Sequence, residues 1–402
     1  MLLGAIYSYQ TFSTKTPVLT FLAFLVLYLS ASIEVCCTES SIIASVFKGL
    51  FLIVLMAYFI KNCSINIKKY VFLTLFCVLV FFILALQTTD QHVGEFISYL
   101  AKFLLIYFFC IYCKKYKIDF DYYLCSAILF IASYSLFLFI PFNLLRLDFL
   151  ASKFYREGNF DFYYNFANIY FYRVTGDALL KLGSFELARL SAIFWEPGVY
   201  GVFLSYSLFY IANSSLKLKK DLIIICSNII LTFSATSLCI MLAILGIKFF
   251  SKLKWYIKLA LIAPLFSMVF GFIFYILYSK MNASSPGLNS YGARMLDITV
   301  GVYLFSRSPL FGTGFFNVDI FQSVQKLNRG SSNGAITWLY TMGLNGIFFA
   351  ISPFIINLRS RIKNMDYYIY MTMLLLLSMT EPIPTSPFMT YILAKEYAKI
   401  GD

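Results

Sequence analysis

The stretch LIIICSNIILTFSATSLCIMLAILGIK, residues 222–248, decides how the chain is threaded. Read as one helix, it sends Lys248, Lys252 and Lys254 to the side opposite Lys217, Lys219 and Lys220 and inverts everything that follows. Read as two short helices meeting at Ser234-Ala235-Thr236-Ser237, it keeps all six lysines on one side. Each arm, 222–233 and 235–247, is only about 18–20 Å long at 1.5 Å per residue, short of a hydrocarbon layer about 30 Å thick. The charges elsewhere in the chain select the hairpin.

The 402 residues are 60% hydrophobic and 13% charged, and apolar runs of spanning length recur from end to end. Such runs need helices, because only helices and closed barrels satisfy their own backbone in lipid. The alternating ten-residue pattern of a barrel is missing. Spans are expected near 17–33, 41–60, 70–87, 94–112, 121–142, 197–212, 222–233, 235–247, 256–278, 334–356, 366–379 and 386–398. The first run is read as an anchor rather than a cleaved signal. With the N-terminus inside, lysines and arginines collect in the inner segments (Lys61, Lys68 and Lys69; Lys114, Lys115 and Lys117; Arg359, Arg361 and Lys363). The short outer loops carry Glu34, Glu39, Asp90 and Glu381 and no basic residue. Lys and Arg bias sets membrane orientation, so the chain reads as an all-α polytopic membrane protein of about twelve spans with both termini cytoplasmic. The net charge of +13 is therefore topological, and no nucleic-acid partner is expected.

Residues 1–402 read as one integral membrane domain with two long outer loops, about 143–196 and 280–333. The first is dense in aromatics and is expected to form short helices on the membrane surface. In the second, 291–307 reads as an amphipathic helix with Leu296, Val300, Tyr303 and Leu304 on one face, stopped by Pro309. Gly312 and Gly314 predict a tight turn.

Arg189 and Arg294 stand in these two loops, and a guanidinium fork suits a pyrophosphate because it bonds two oxygens at once. Both are expected to meet in one outer pocket, with Arg307 and the mid-span Lys102 as further pyrophosphate ligands. Lys48 is a second basic residue inside an apolar run. Pro197 suits the first turn of a helix, which places Glu196 at its cap, seven residues beyond Arg189 and on the same face if the stretch is helical. Glu196 is the first candidate for a general base, and a plain Arg–Glu pair is the alternative. Arg294 and Asp297, one turn apart, could equally pair on a surface helix. Ser234, Ser237, Asn333 and Tyr340 are candidate substrate contacts, while the glycines near 343–346 read as helix-packing positions. His92, the lone histidine, reads as solvated. The nine scattered cysteines, Cys110 and Cys113 included, read as buried small apolar groups. No metal-ligand cluster, P-loop or dinucleotide fingerprint occurs, so no metal and no cofactor is expected.

Four features together resemble the O-antigen polymerase (Wzy) family and the related O-antigen ligases. They are Arg189 upstream of Pro197, the polar turn after LTFS (231–237), Arg294 ahead of SPLFGTGF (308–315), and Asn333 followed after nine residues by Gly343-x-x-Gly346. Where the ligases carry a histidine before that tract, this chain has Ser332, which favours the polymerase. The resemblance implies a bundle of the GT-C type of lipid-sugar glycosyltransferase in the bacterial inner membrane. It implies a periplasmic reaction in which a glycan on undecaprenyl pyrophosphate is transferred to the sugar of a second undecaprenyl-pyrophosphate-linked repeat unit. Arg189 and Arg294 would stabilise the leaving pyrophosphate, with Glu196 as base. Donor, acceptor and membrane lipid are the implied partners, and a chain-length regulator protein is a candidate one. A ligase, and a flippase or transporter of lipid-linked oligosaccharide, are the rival readings.

Overall fold

The computed structural model describes residues 16–32, 42–62, 93–155, 162–167, 169–173, 179–182, 185–214, 219–250, 290–315, 317–325, 331–361, 365–381 and 385–400. The expected spans 70–87 and 256–278, with His92, lie outside these residues. The described residues are predominantly helical and form twelve α-helices. They are α1 Thr16–Ala31, α2 Ile42–Asn62, α3 Val93–Lys115, α4 Phe120–Phe139, α5 Pro197–Asn213, α6 Lys219–Thr232, α7 Ala235–Phe250, α8 Ser290–Arg307, α9 Val318–Gln325, α10 Gly334–Arg361, α11 Met365–Thr380 and α12 Pro387–Lys399. Three stretches, Val93–Lys115, Phe120–Leu144 and Gly334–Leu358, are long and apolar enough to cross a membrane. Cys110 and Cys113 are buried on α3.

Two compact units make up the chain, each from two segments: Met1–Phe47 with Asp119–Ser284, and Lys48–Ile118 with Ser285–Asp402. In the first unit α4 packs on α1, α5 and α6, and α5 packs on α6 and α7. Asn228 of α6 ties three of these helices together. Its amide donates to the carbonyls of Ala132 (3.0 Å) and Ile224 (2.8 Å) and accepts from the Tyr200 hydroxyl (3.0 Å). Polar side chains bonded across apolar helices hold their register where burial alone gives no direction. In the second unit α12 packs along α3, and α10 packs on α8, α11 and α12. Glu396 of α12 is fully buried and accepts from Asn357 (3.0 Å), Tyr367 (3.2 Å) and Lys399 (2.5 Å).

The 222–248 stretch is a hairpin of two helices. α6 ends at Thr232, Phe233 takes a left-handed conformation (φ 46°), and α7 starts at Ala235. The first long loop corrects the sequence expectation: its aromatic segments are strands, not surface helices. β1 (Ser152–Tyr155), β2 (Phe162–Phe166) and β3 (Tyr170–Arg173) form an antiparallel sheet, and β4 (Leu179–Leu182) pairs with β5 (Phe185–Ala188). Aromatic residues favour a pleated, half-buried surface, and cross-strand ring pairs stabilise it. Tyr164 lies opposite Tyr172 with their rings stacked 5.1 Å apart. The Tyr172 hydroxyl donates to Asp148 (2.6 Å), which also pairs with Arg146 (3.3 Å). Burial first, and then the Asp148 carboxylate, push the Tyr172 phenol far above its usual range.

Candidate functional site

In the first unit, Arg189 directly follows β5, and Ala192 turns the chain at φ 54° before Pro197 opens α5. The 189–196 stretch is therefore not helical, and the expected stacking of Arg189 over Glu196 has no backbone to support it. Backbone bonds to neighbouring elements account for the departure from a helix: Phe171 N–H donates to Ala192 O (2.8 Å), and Phe194 bridges Ser32. The Arg189 side chain is buried at the break between α6 and α7. Its Nε donates to Thr232 O (2.9 Å) and one Nη to Phe233 O (3.4 Å), while Leu190 N–H takes Leu231 O (3.0 Å). The last carbonyls of a helix have no partner within it, and a cation there also meets the negative end of the helix dipole. Arg189 thus closes the C-terminus of α6.

Glu196 is the half-buried residue just before α5, in extended conformation and with no capping bond from its side chain. Ser234 and Ser237 are both buried, their hydroxyls 3.3 Å apart. A Cβ on Gly201 would fall 2.0 Å from the Ser237 Oγ, so α5 lies against this turn because residue 201 is glycine. The two hydroxyls are packed on each other and on α5.

In the second unit, the segment SPLFGTGF fills a break in α10. Gly343 leaves the helix (φ 63°, ψ −153°), which strands carbonyls above it and N–H groups below it. The loop supplies the missing partners. Thr313 N–H donates to Tyr340 O (2.8 Å), Gly314 N–H to Thr341 O (3.0 Å), and Leu344 N–H to Pro309 O (2.9 Å). Backbone contact this close requires glycine: a Cβ on Gly312 would meet the Thr341 carbonyl carbon at 2.4 Å. The glycines near 343 therefore make an interrupted helix rather than a smooth packing face. Irregular backbone in an apolar layer persists only where protein buries it or it lines a cavity.

α8 presents a different face from the one its periodicity suggests. Val300 and Leu304 are buried against Tyr340 and Phe321 as expected, but Leu296 and Tyr303 are exposed. The reason is Asp297, which is fully buried and turns the helix inward around itself. Its carboxylate accepts from Ser332 N–H (2.7 Å), Ser332 Oγ (2.6 Å) and Gln325 Nε2 (3.1 Å). The Ser332 hydroxyl is thereby committed to Asp297. Asn333 caps α10, its Oδ1 accepting from Ile336 N–H (3.1 Å). Tyr340 is fully buried, with its ring stacked 5.0 Å from Phe321.

Arg294 and Lys102 are brought to one connection, the turn between α11 and α12. Arg294 Nη2 lies 3.7 Å from Glu381 Oε1 at the end of α11, and its Nε is buried with no hydrogen-bond partner. Lys102 Nζ donates to Thr385 O (2.8 Å) just before α12 and lies 5.3 Å from the Tyr99 ring centre. Residues 381 and 385 are at most about 14 Å apart at full extension. Lys48 lies within electrostatic reach of Lys102. Arg307 is elsewhere: it is exposed, stacks on Tyr303 (4.6 Å), and stands about 20 Å along α8 from Arg294 at 1.5 Å per residue. Sequence reasoning placed Glu381 outside but missed its pairing with Arg294, since nothing in a sequence links positions so far apart. Among the described residues no group of acidic, histidine or cysteine side chains is arranged to hold a metal ion. No known family model matches the chain, and no curated protein matches it.

Proposed function

We propose that the chain is a membrane glycosyltransferase of the O-antigen polymerase kind, with a GT-C-like bundle in the bacterial inner membrane and both termini in the cytoplasm. It joins undecaprenyl-pyrophosphate-linked repeat units on the periplasmic face. The observation that carries this reading is the α11–α12 connection, which collects Arg294 and Lys102 at what the charge pattern makes the outer side. Two cations there, one of them Arg294 with a long ion pair and a buried unpaired Nε, suit the diphosphate of a lipid whose tail stays in the bilayer.

The chemistry asks for charge stabilisation more than covalent participation. The acceptor hydroxyl attacks the anomeric carbon of the donor, and the bond to pyrophosphate breaks with its electron pair on the leaving oxygen. Fixed positive charge at that oxygen lowers the barrier because it needs no reorganisation as the charge develops. The ligase reading is weakened by Ser332, whose hydroxyl is tied to Asp297.

The test is reconstitution of purified protein with lipid-linked repeat units. A ladder of longer lipid-linked glycans supports the polymerase. Transfer to lipid A core supports the ligase instead, and an unchanged substrate pool leaves a flippase or transporter.

A further inference from the structure

We propose that the turn at 144–150, which follows α4, is a spur that enters the outer leaflet of the bilayer and fixes the aromatic sheet at the membrane surface. This rests on the membrane placement in the reading above and not on the transferase chemistry. The spur begins as a continuation of α4. Phe130, Phe137, Ile140 and Leu144 are exposed at helical spacing, so one uncovered apolar stripe runs along the span Phe120–Leu144 to its end. Ile128, Phe139 and Phe142, which point away from that stripe, are buried. The stripe does not stop with the helix. Leu145, Phe149 and Leu150 are exposed as well, and Phe149 (80%) and Phe137 (76%) are the most exposed large apolar side chains among the described residues. A contiguous run of large uncovered apolar side chains marks a contact surface.

What covers this surface follows from the place and shape of the turn. Leu145 N–H donates to Ile140 O (2.9 Å), Leu147 N–H to Pro141 O (3.0 Å) and Leu150 N–H to Leu147 O (3.1 Å), so the chain winds tightly as it leaves the span. At about 2 Å of rise per residue in such turns, Phe149 stands no more than about 10 Å beyond Leu144. That is the depth, about 5–10 Å, over which interfacial apolar side chains enter the boundary of headgroups and acyl chains. Arg146 takes a left-handed conformation (φ 55°) at the bend, and its ion pair with Asp148 (3.3 Å) holds the bend closed. Lys153, exposed three residues beyond Leu150, adds positive charge beside the apolar tip, the pairing that suits acyl chains under anionic headgroups. Spur and sheet are one piece. The Phe142 ring lies 4.8 Å from Phe166 and 5.9 Å from Tyr170, and the Asn143 amide donates to Ala188 O (3.0 Å) and accepts from the Tyr170 hydroxyl. The Tyr172 hydroxyl donates to Asp148 within the spur itself (2.6 Å). A spur seated in lipid therefore sets the depth of β2 and β3. The membrane contact that the sequence assigns to the loop's aromatic residues belongs to the turn ahead of them.

The experiment compares wild type, Phe149→Trp, Leu145→Trp and Phe130→Trp as purified full-length protein in vesicles of phosphatidylethanolamine and phosphatidylglycerol. The added tryptophan emission, read as the difference from wild type, is quenched from the lipid side by acyl chains brominated near the headgroup or near the chain end. It is quenched from the water side by iodide. Expected for Phe149→Trp is loss of the added emission to bromines near the headgroup, less loss to bromines near the chain end, and little loss to iodide. Phe130→Trp, at mid-span on the same stripe, is expected to be quenched most by the deeper bromines. Phe149 and Leu145 are both exposed, so neither substitution disturbs a packed core, and Leu145→Trp decides the matter if Phe149→Trp melts early. Quenching of Phe149→Trp by iodide and not by brominated lipid overturns the proposal, because the spur then stands in water. Protection from both quenchers overturns it too, because protein, a second copy of the chain, then covers the spur. Phe130→Trp untouched by brominated lipid defeats the membrane placement itself, a failure distinct from that of the spur.

Discussion

Arg189 Nε donates to the carbonyl of Thr232 across 2.9 Å, so a residue of the first long loop finishes a helix that ends inside the apolar bundle. Replacing it with alanine strands that carbonyl and the one at Phe233. We expect Arg189→Ala to lower stability by about 2 kcal/mol, the scale of a buried acceptor left unsatisfied, and to lose elongation with it. Arg189→Lys, which keeps a donor, should recover part of both. Thermal melting in detergent checks this. An Arg189→Ala protein that melts as wild type yet does not elongate would mean the side chain meets the substrate instead.

The lock between SPLFGTGF and the α10 break predicts unequal effects of two glycine substitutions. Gly343→Ala forces a Cβ within 2.7 Å of Leu310 backbone atoms at a φ of 63°, and should cost about 2 kcal/mol or more. Gly94→Ala meets nothing within 4 Å and sits in α3, where alanine is the better helix former by up to about 1 kcal/mol. Melting temperatures of the two variants should therefore move in opposite directions. Equal behaviour would mean that the break is not held by the loop.

Asp297 gives a third prediction. Asp297→Ala removes the acceptor of three hydrogen bonds and leaves Ser332 N–H without this partner. A loss of about 3 kcal/mol is expected from hydrogen bonds to a charged group. Asp297→Asn should lose less, because its amide oxygen still accepts. Hydrogen exchange at the start of α10 should rise in step with the melting change. Unchanged exchange there would detach Asp297 from that cap.

The helices were legible because hydropathy and charge placement obey rules local to each run. The break at Phe233 could be read from Lys248 and its neighbours, which a single helix would send to the side opposite Lys217, Lys219 and Lys220. The sheet was not legible, because Tyr163, Tyr164 and the other rings also satisfy the pattern of an interfacial aromatic belt, and composition alone does not separate the two. Gly343 was visible, but its role was not, since its partners lie about thirty residues earlier at Pro309 and Leu310. The candidate site divides the same way. Arg294 and Lys102 were singled out by residue type and depth, whereas Glu381 and Thr385, which gather them, are tertiary neighbours with no periodic signature.

Binding of undecaprenyl pyrophosphate to purified Arg294→Ala and Lys102→Ala proteins tests the central claim most directly. Each variant should keep the wild-type melting temperature to within a few degrees and bind the lipid at least about tenfold more weakly, the equivalent of one charge-assisted hydrogen bond. Wild-type affinity in both variants would contradict the account, because the α11–α12 connection would then gather two cations without making an anion site.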